Sequence, residues 1–213
     1  MNISLRNKSI LLIVLILFLD QLLKIWIKTH MIEGQGFSVM GNWFIIHFTE
    51  NPGMAFGIEF WGGYGKLFLS LFRIAASCAM GYYIYLLIKQ KANTGLVLGI
   101  SAILAGAVGN LIDSAFYGLI FNDSISGVAT FLPNGGGYAP FLHGRVVDML
   151  YFPIINTTYP QWFPFVGGQH FVFFSPIFNL ADSAITTGVF YLLIFQRKIL
   201  LGKQDVKKND SAV

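Results

Sequence analysis

The segment "FSPIFNLADSAITTGVFYLLIF", residues 174–195, has the length and apolarity of a membrane-crossing helix, yet it carries Asp182 about two turns in. A carboxylate held in lipid costs about 2.5–3.5 kcal/mol on insertion scales, so it is by default a functional-site candidate. The question is whether other charges share its depth.

The rest of the chain fits a membrane protein. Of its 213 residues, 55% are hydrophobic and 11% charged, against about 25% charged in soluble domains. A spanning helix needs about 20 mostly apolar residues, and the windows 9–28, 66–88, 94–117 and 175–195 each supply them. Arg6 and Lys8 precede the first window as they would a signal peptide. No small-residue cleavage site follows, and Asp20 and Lys24 interrupt the run, so it reads as a retained helix. The expected fold is an all-α membrane protein of one domain, residues 1–213, with four transmembrane helices. Cys78, alone in an apolar run, reads as a small buried hydrophobe.

Basic residues gather on the cytoplasmic side of membrane proteins. Arg6 and Lys8 lie before the first helix, Lys89 and Lys91 between the second and third, and Arg197, Lys198, Lys203, Lys207 and Lys208 after the fourth. Both termini are therefore expected in the cytoplasm, with segments 29–65 and 118–174 outside. The basic tail, 198–213, reads as a flexible end near anionic phospholipid rather than a nucleic-acid arm. The outer segments are not ordinary polar loops. "NWFIIHFTEN" (42–51) has the composition of a strand, part of a small sheet on the membrane surface. "YPQWFPFVGGQHFVFF" (159–174) has the aromatics and prolines of an interfacial segment. "FLPNGGGYAPF" (131–141) is glycine-rich but lacks the spacing of a phosphate-binding loop.

Laid side by side, the helices sort their charges. At 1.5 Å per residue, Asp20 lies about 12 Å below the outer end of its helix, Arg73 and Asp182 about 10 Å, and Asp113 about 6 Å. Every charge within the spans falls in the outer half. Asp20 and Lys24, four apart, share a helix face and can pair. Asn110 with Asp113, and Asn179 with Asp182, repeat one Asn-x-x-Asp spacing. Arg73 reads as a structural cation, a candidate counter-ion to Asp113. Lys28 and Lys66 read as structural ion pairs or as chains snorkelling to the interface. Gly95, Gly99, Ala102, Gly106 and Gly109 give the third helix a small-residue face, which makes it the expected centre of the bundle. Asp148, in "GRVVDMLYFP", follows a short β-like run near the outer surface. Two carboxylates meeting there could share a proton, one acting as base on water and the other as acid. Asp20, Asp113, Asp148 and Asp182 are all candidates for such a pair.

The motifs "DQLLK" (20–24), "ENPGMAFG" (50–57), "GAVGNLID" (106–113), "GRVVDM" (144–149) and "FNLADSAI" (178–185) occur in one order over nearly the whole chain. In this the sequence resembles the bacterial lipoprotein signal peptidase (signal peptidase II) family of aspartic intramembrane peptidases. The resemblance implies Asp148 and Asp182 as the catalytic pair. It implies Asp20, Lys24, Asn51, Gly53, Asn110, Asp113, Asn179 and Ala181 around the substrate pocket. The substrate it implies is a prolipoprotein with a lipidated cysteine, cleaved just before that cysteine. It implies no cofactor or metal, no obligate protein partner, and a site at the outer, periplasmic leaflet of the bacterial inner membrane. Two features depart from the family pattern. An arginine usually follows the aspartate of the third motif, where this chain has Ser114; Arg145, also expected at the pocket, or Arg73 are the candidates to replace that charge. The stretch from Ser114 to His143 is also roughly twenty residues longer than usual. A loop of that length is usually functional or mobile, and it is expected to cap the outer mouth of the cleft.

Other chemistries fit less well. His30, His47, His143 and His170 are scattered and no HExxH motif occurs. "GISAI" (99–103) is no convincing nucleophile elbow. A small ion-coupled transporter would also carry intramembrane carboxylates, but it needs polar residues through both leaflets. A non-catalytic lipoprotein-binding scaffold remains the third alternative.

Overall fold

The computed structural model describes residues 3–52, 63–173 and 176–200. Gly53, the rest of its motif to Gly57, and the tail beyond 200 lie outside the described residues. The main helices are α1 (Leu5–His30), α2 (Gly63–Lys89), α3 (Thr94–Ile112) and α5 (Leu180–Phe195). A π-helical turn, Asp113–Tyr117, and the short α4, Gly118–Ile120, extend α3; α6 is Arg197–Leu200.

Local chemistry sets the helix ends. Ser4 Oγ accepts the Asn7 N–H at 3.3 Å and starts α1. Asn93 Oδ1 accepts from Gly95 and Leu96 and starts α3. Leu5–His30, Tyr64–Lys89 and Thr94–Ile120 are long and apolar enough to cross a membrane. Their outward residues, such as Leu11, Phe18 and Phe72, are large, apolar and exposed, as lipid contact requires. The fourth expected span begins later than 175. Ile177–Phe178 pair with a strand, and Asn179 caps α5, leaving an apolar helix of 16 residues. It is about 24 Å long, shorter than the hydrocarbon core of about 30 Å.

Helix α3 is central. Half of its apolar window is buried, against 17% for α1 and α2, and it packs on α1, α2 and α5. Its glycines permit the approach. A Cβ on Gly106 would strike the Ala181 carbonyl oxygen, and one on Gly109 would sit 2.8 Å from Asp20 Oδ2. Cys78, expected inside, is exposed; α2 is apolar on most sides, so composition could not tell its lipid face from its protein face.

Four strands form one antiparallel sheet in the order β1 (Gly36–Met40), β2 (Phe44–Asn51), β3 (Val146–Tyr151) and β6 (Ile177–Phe178). Thr49 lies opposite Asp148, Glu50 opposite Val147 and Asn51 opposite Val146. Side chains alternate along a strand, so Asp148 and Asn51 share one face while Glu50 and Val147 share the other. The long segment after α4 folds over the Glu50 face. Its Phe121 and Ala129 join Ile27, Ile46, Phe48, Val147 and Met149 in a common core. Lys28 is fully buried there. It pairs with Glu50 and donates to Ser124 Oγ at 2.8 Å, so it is an internal ion pair and does not snorkel. The segment at 159–174 is more structured than its composition implied. Strands β4 (Ile155–Thr158) and β5 (His170–Phe173) make an antiparallel hairpin, and Trp162 and Phe165 stand exposed at its tip.

Candidate active site

The polar residues of α1, α3, β3 and α5 converge on one cluster. At its base is Lys24, with no solvent exposure. Its Nζ lies 2.9 Å from Asp20 Oδ2 and 2.8 Å from Asp113 Oδ2, and donates to Asn110 Oδ1 at 3.0 Å. One buried cation thus meets two carboxylates and an amide oxygen, all on neighbouring helices. The i,i+4 pair expected from sequence is present and has gained Asp113, so Arg73 is not the counter-ion in contact with Asp113. A buried ionic group holds together only when its remaining lone pairs are also met. Here they are: Asp20 Oδ1 accepts the Ala181 N–H at 2.9 Å, and Asp113 Oδ2 accepts the Val147 N–H at 3.3 Å. The triad therefore fastens the start of α5 and strand β3 to α1 and α3.

Asn179 stands above this base. Its Oδ1 accepts the Asp182 N–H at 2.9 Å, while Asp182 Oδ2 accepts the Asn179 N–H at 3.3 Å, a reciprocal capping box. Its Nδ2 donates to Asp148 Oδ1 at 2.7 Å and to Asn110 Oδ1 at 3.0 Å. Asn110 Nδ2 donates to Asp182 Oδ1 at 2.7 Å. Asn51 also hydrogen-bonds Asp148. Asp148 and Asp182, 34 positions apart in the chain, are therefore joined through one amide side chain. β6 makes this possible, because Leu150 pairs with Phe178 and brings the next residue beside Asp148.

Burial, and then the nearby charge of Asp182, push the Asp148 carboxyl up to about 7. Asp182 sits in the first turn of α5, where the helix dipole favours an anion, and it receives two N–H donors. The two carboxyls thus lie in unequal environments, the arrangement that separates an acid from a base.

Of the expected site residues, Asp20, Lys24, Asn51, Asn110, Asp113, Asp148, Asn179, Ala181 and Asp182 come together. Arg145 does not join them. It lies on the Glu50 side of the sheet, its Nη1 3.1 Å from Glu50 Oε2 and 3.2 Å from Asp123 Oδ2. Val146 and Val147 separate it from Asp148 in sequence, and β-alternation turns it to other partners. Sequence reasoning missed Gln21, which donates to Asp20, Asp113 and the Gly109 carbonyl and accepts from the Tyr117 hydroxyl. A glutamine within an apolar helix was the available signal.

The signal peptidase (SPase) II family model matches residues 12–197. The lipoprotein signal peptidase of Porphyromonas gingivalis is 54% identical over 187 residues, covering 86% of this chain and 80% of that protein. The lipoprotein signal peptidase of Amoebophilus asiaticus is 38% identical over 196 residues, covering 91% and 78%. A bacterial membrane enzyme solved by the in meso method at 2.3 Å is 27% identical, with a TM-score of 0.59, covering 97% of this chain and 94% of its own. Sequence and fold agree over nearly the full described length: the chain belongs to the signal peptidase II family of lipoprotein signal peptidases.

Proposed function

We propose that the chain is an aspartic endopeptidase that removes the signal peptide from diacylglyceryl-modified prolipoproteins, with Asp148 and Asp182 as its catalytic pair. The observation that carries this reading is Asn179, whose one side chain caps Asp182 and touches Asp148. The buried base of Asp20, Lys24 and Asp113 acts as the frame of the substrate pocket. Asn51, Asn110, Asn179 and the Ala181 segment line it, and Gly53 belongs with them by its motif.

In the mechanism Asp148 holds the shared proton and Asp182 is ionised. A water between them gives a proton to Asp182 while its oxygen bonds to the scissile carbonyl carbon. Asp148 gives its proton to the carbonyl oxygen. The resulting diol collapses as Asp182 passes its proton to the leaving amine and the hydroxyl proton returns to Asp148. Both carboxyls end as they began.

The chain lies in the bacterial inner membrane with both termini in the cytoplasm and α5 as a fourth, short span. The pair then faces the outer leaflet, where the acyl chains of the substrate stay in lipid while its cysteine reaches the water. The whole chain, 1–213, acts as one domain. The test is a purified enzyme in detergent with a lipidated prolipoprotein. Asp148→Asn and Asp182→Asn should each release no signal peptide while melting as the parent does. Substantial turnover by either would refute the pair. Substrate binding without cleavage by the parent would favour a scaffold.

A further inference from the structure

Helices α1 and α2 both pack on α3. Between them, with Leu104 of α3 in the wall, runs a groove of about 380 Å³. It lies where α1 begins and α2 ends, away from the carboxylate cluster. Its sides are two regular helix faces. Arg6, Ile10 and Ile13 recur four and three apart on α1, and Gly81, Ile84 and Ile88 three and four apart on α2, so each row is one face of its helix. A row of seven residues is about 10 Å long. Ser9, also in the wall, is buried, and its hydroxyl is met by Ser101 Oγ at 2.6 Å. The groove is open sideways, with Ile10 at 53% and Tyr85 at 58% exposure. Both helices are long and apolar enough to cross a membrane, so that open side faces hydrocarbon.

Charge marks one end of this apolar trough. Arg6 and Lys89 stand at its mouth and are exposed. Among the described residues neither makes an ion pair. No described Asp or Glu lies at that end: the first on α1 is Asp20, and α2 has none. Two unmatched cations above an apolar slot between membrane helices suit an amphiphile with an anionic head and a hydrocarbon tail. Helix α2 also lacks fastening on this side. Toward its other end, Ser70 Oγ donates to the Leu142 carbonyl at 2.8 Å and Arg73 Nη1 donates to Ser114 Oγ at 2.8 Å. Beyond Arg73, among the described residues, no side chain of α2 makes a hydrogen bond, and Ser77 Oγ is buried without a partner.

We propose that this groove binds an anionic phospholipid, with one acyl chain between α1 and α2 and the phosphate group against Arg6 and Lys89. With both termini in the cytoplasm, as proposed above, it is a lipid of the inner leaflet. Its role is to brace the part of α2 that the protein holds by apolar packing alone. The site is separate from Asp148 and Asp182 and does not depend on their pairing.

The test uses the purified, delipidated full chain in detergent. Dioleoyl phosphatidylglycerol is the probe and dioleoyl phosphatidylcholine, with no net charge, its control. Native mass spectrometry counts bound lipid, and melting reads the brace. A basic residue near an anionic lipid strengthens binding by about fivefold. The parent should therefore hold one phosphatidylglycerol per chain, preferred over phosphatidylcholine by about tenfold or more, and should melt higher with it. Arg6→Gln with Lys89→Gln should bring the two lipids close to parity. A Cβ on Gly81 meets Leu104 Cδ2 at an unstrained 3.9 Å, so Gly81→Leu fills the trough while leaving both cations, and it should lose either lipid. Equal retention of the two lipids by the parent, which needs no variant, would overturn the proposal. So would a preference that survives Arg6→Gln with Lys89→Gln, or unchanged binding in Gly81→Leu, since the lipid would then sit elsewhere. Displacement of the phosphatidylglycerol by inorganic phosphate would mean an anion site without a chain, and would overturn it too.

Discussion

Asn179 Nδ2 lies 2.7 Å from Asp148 Oδ1, so a helix cap and a candidate catalytic carboxyl share one side chain. Losing an N-cap costs about 0.5–2 kcal/mol. Asn179→Ala should lower stability by about that much, yet reduce cleavage far more, because Asp148 and Asp182 lose their common partner. Parallel melts and initial rates measure the two effects. Equal, small losses in both would show that Asn179 serves the helix alone.

Under the proposed mechanism the Asp148 carboxyl, raised to about 7, would set an upper pH limit on activity. If Asp148 is the acid, kcat/KM should fall as pH rises through about 7. Stability follows the same group. The folded chain keeps this proton between the ordinary carboxylate range and about 7, whereas the unfolded chain releases it. The contribution is complete at low pH and is lost as pH rises toward 7. Asp148→Asn should flatten that part of the stability profile. A rate still climbing at pH 9 would argue against Asp148 as the acid.

Lys28 and Glu50 are both buried, at 0% and 6% exposure. Breaking such a pair from one side costs about 3–5 kcal/mol, because the remaining charge is left buried. Lys28→Met should therefore destabilise strongly. Lys28→Met with Glu50→Gln should recover part of the loss, and a double variant as unstable as the sum of the singles would argue against coupling. Thermal unfolding in detergent reads both.

The segment 125–138 carries Ala129 of the shared core and Tyr138, whose ring lies over Lys28 and whose hydroxyl accepts the Arg145 N–H at 2.7 Å. Deleting 125–138 should lower the melting temperature and slow cleavage. Full activity with unchanged substrate preference would remove any role for it as a cap over the cleft.

Gly106 lies against the Ala181 carbonyl, one residue before Asp182. The obstacle is backbone, so Gly106→Val must push α5 away from α3. Cleavage should fall by at least tenfold, about 1.4 kcal/mol in the barrier, with a loss of stability as well. A Gly106→Val enzyme with parental rates would mean that the start of α5 is free to shift.

Much of this was legible in the sequence. The apolar windows located α1, α2 and α3, and the i,i+4 spacing of Asp20 and Lys24 foretold their contact. Small residues marked α3 as central. What stayed hidden depends on pairing between distant segments. No local pattern says that Phe178 pairs with Leu150, so the Asn179–Asp148 contact and the late start of α5 were out of reach. Lys28 read as an ion pair or as a snorkelling chain, and the sequence did not choose between them because its partners, Glu50 and Ser124, arrive from a strand and from the long segment after α4. Arg73 and Ser114 are 41 positions apart, and neither carries a signal for the other.

Strand β3 presents Asp148 to one side and Val147 to the other, and its neighbours are set by a pleat that repeats every two residues. Adding or removing a single residue between His143 and Val146 would turn the ribbon over. It would turn an aliphatic side chain toward Asn179 and bury the aspartate beside Glu50. The spacing of that approach is therefore as much a requirement of the polar cluster as the carboxyl it delivers.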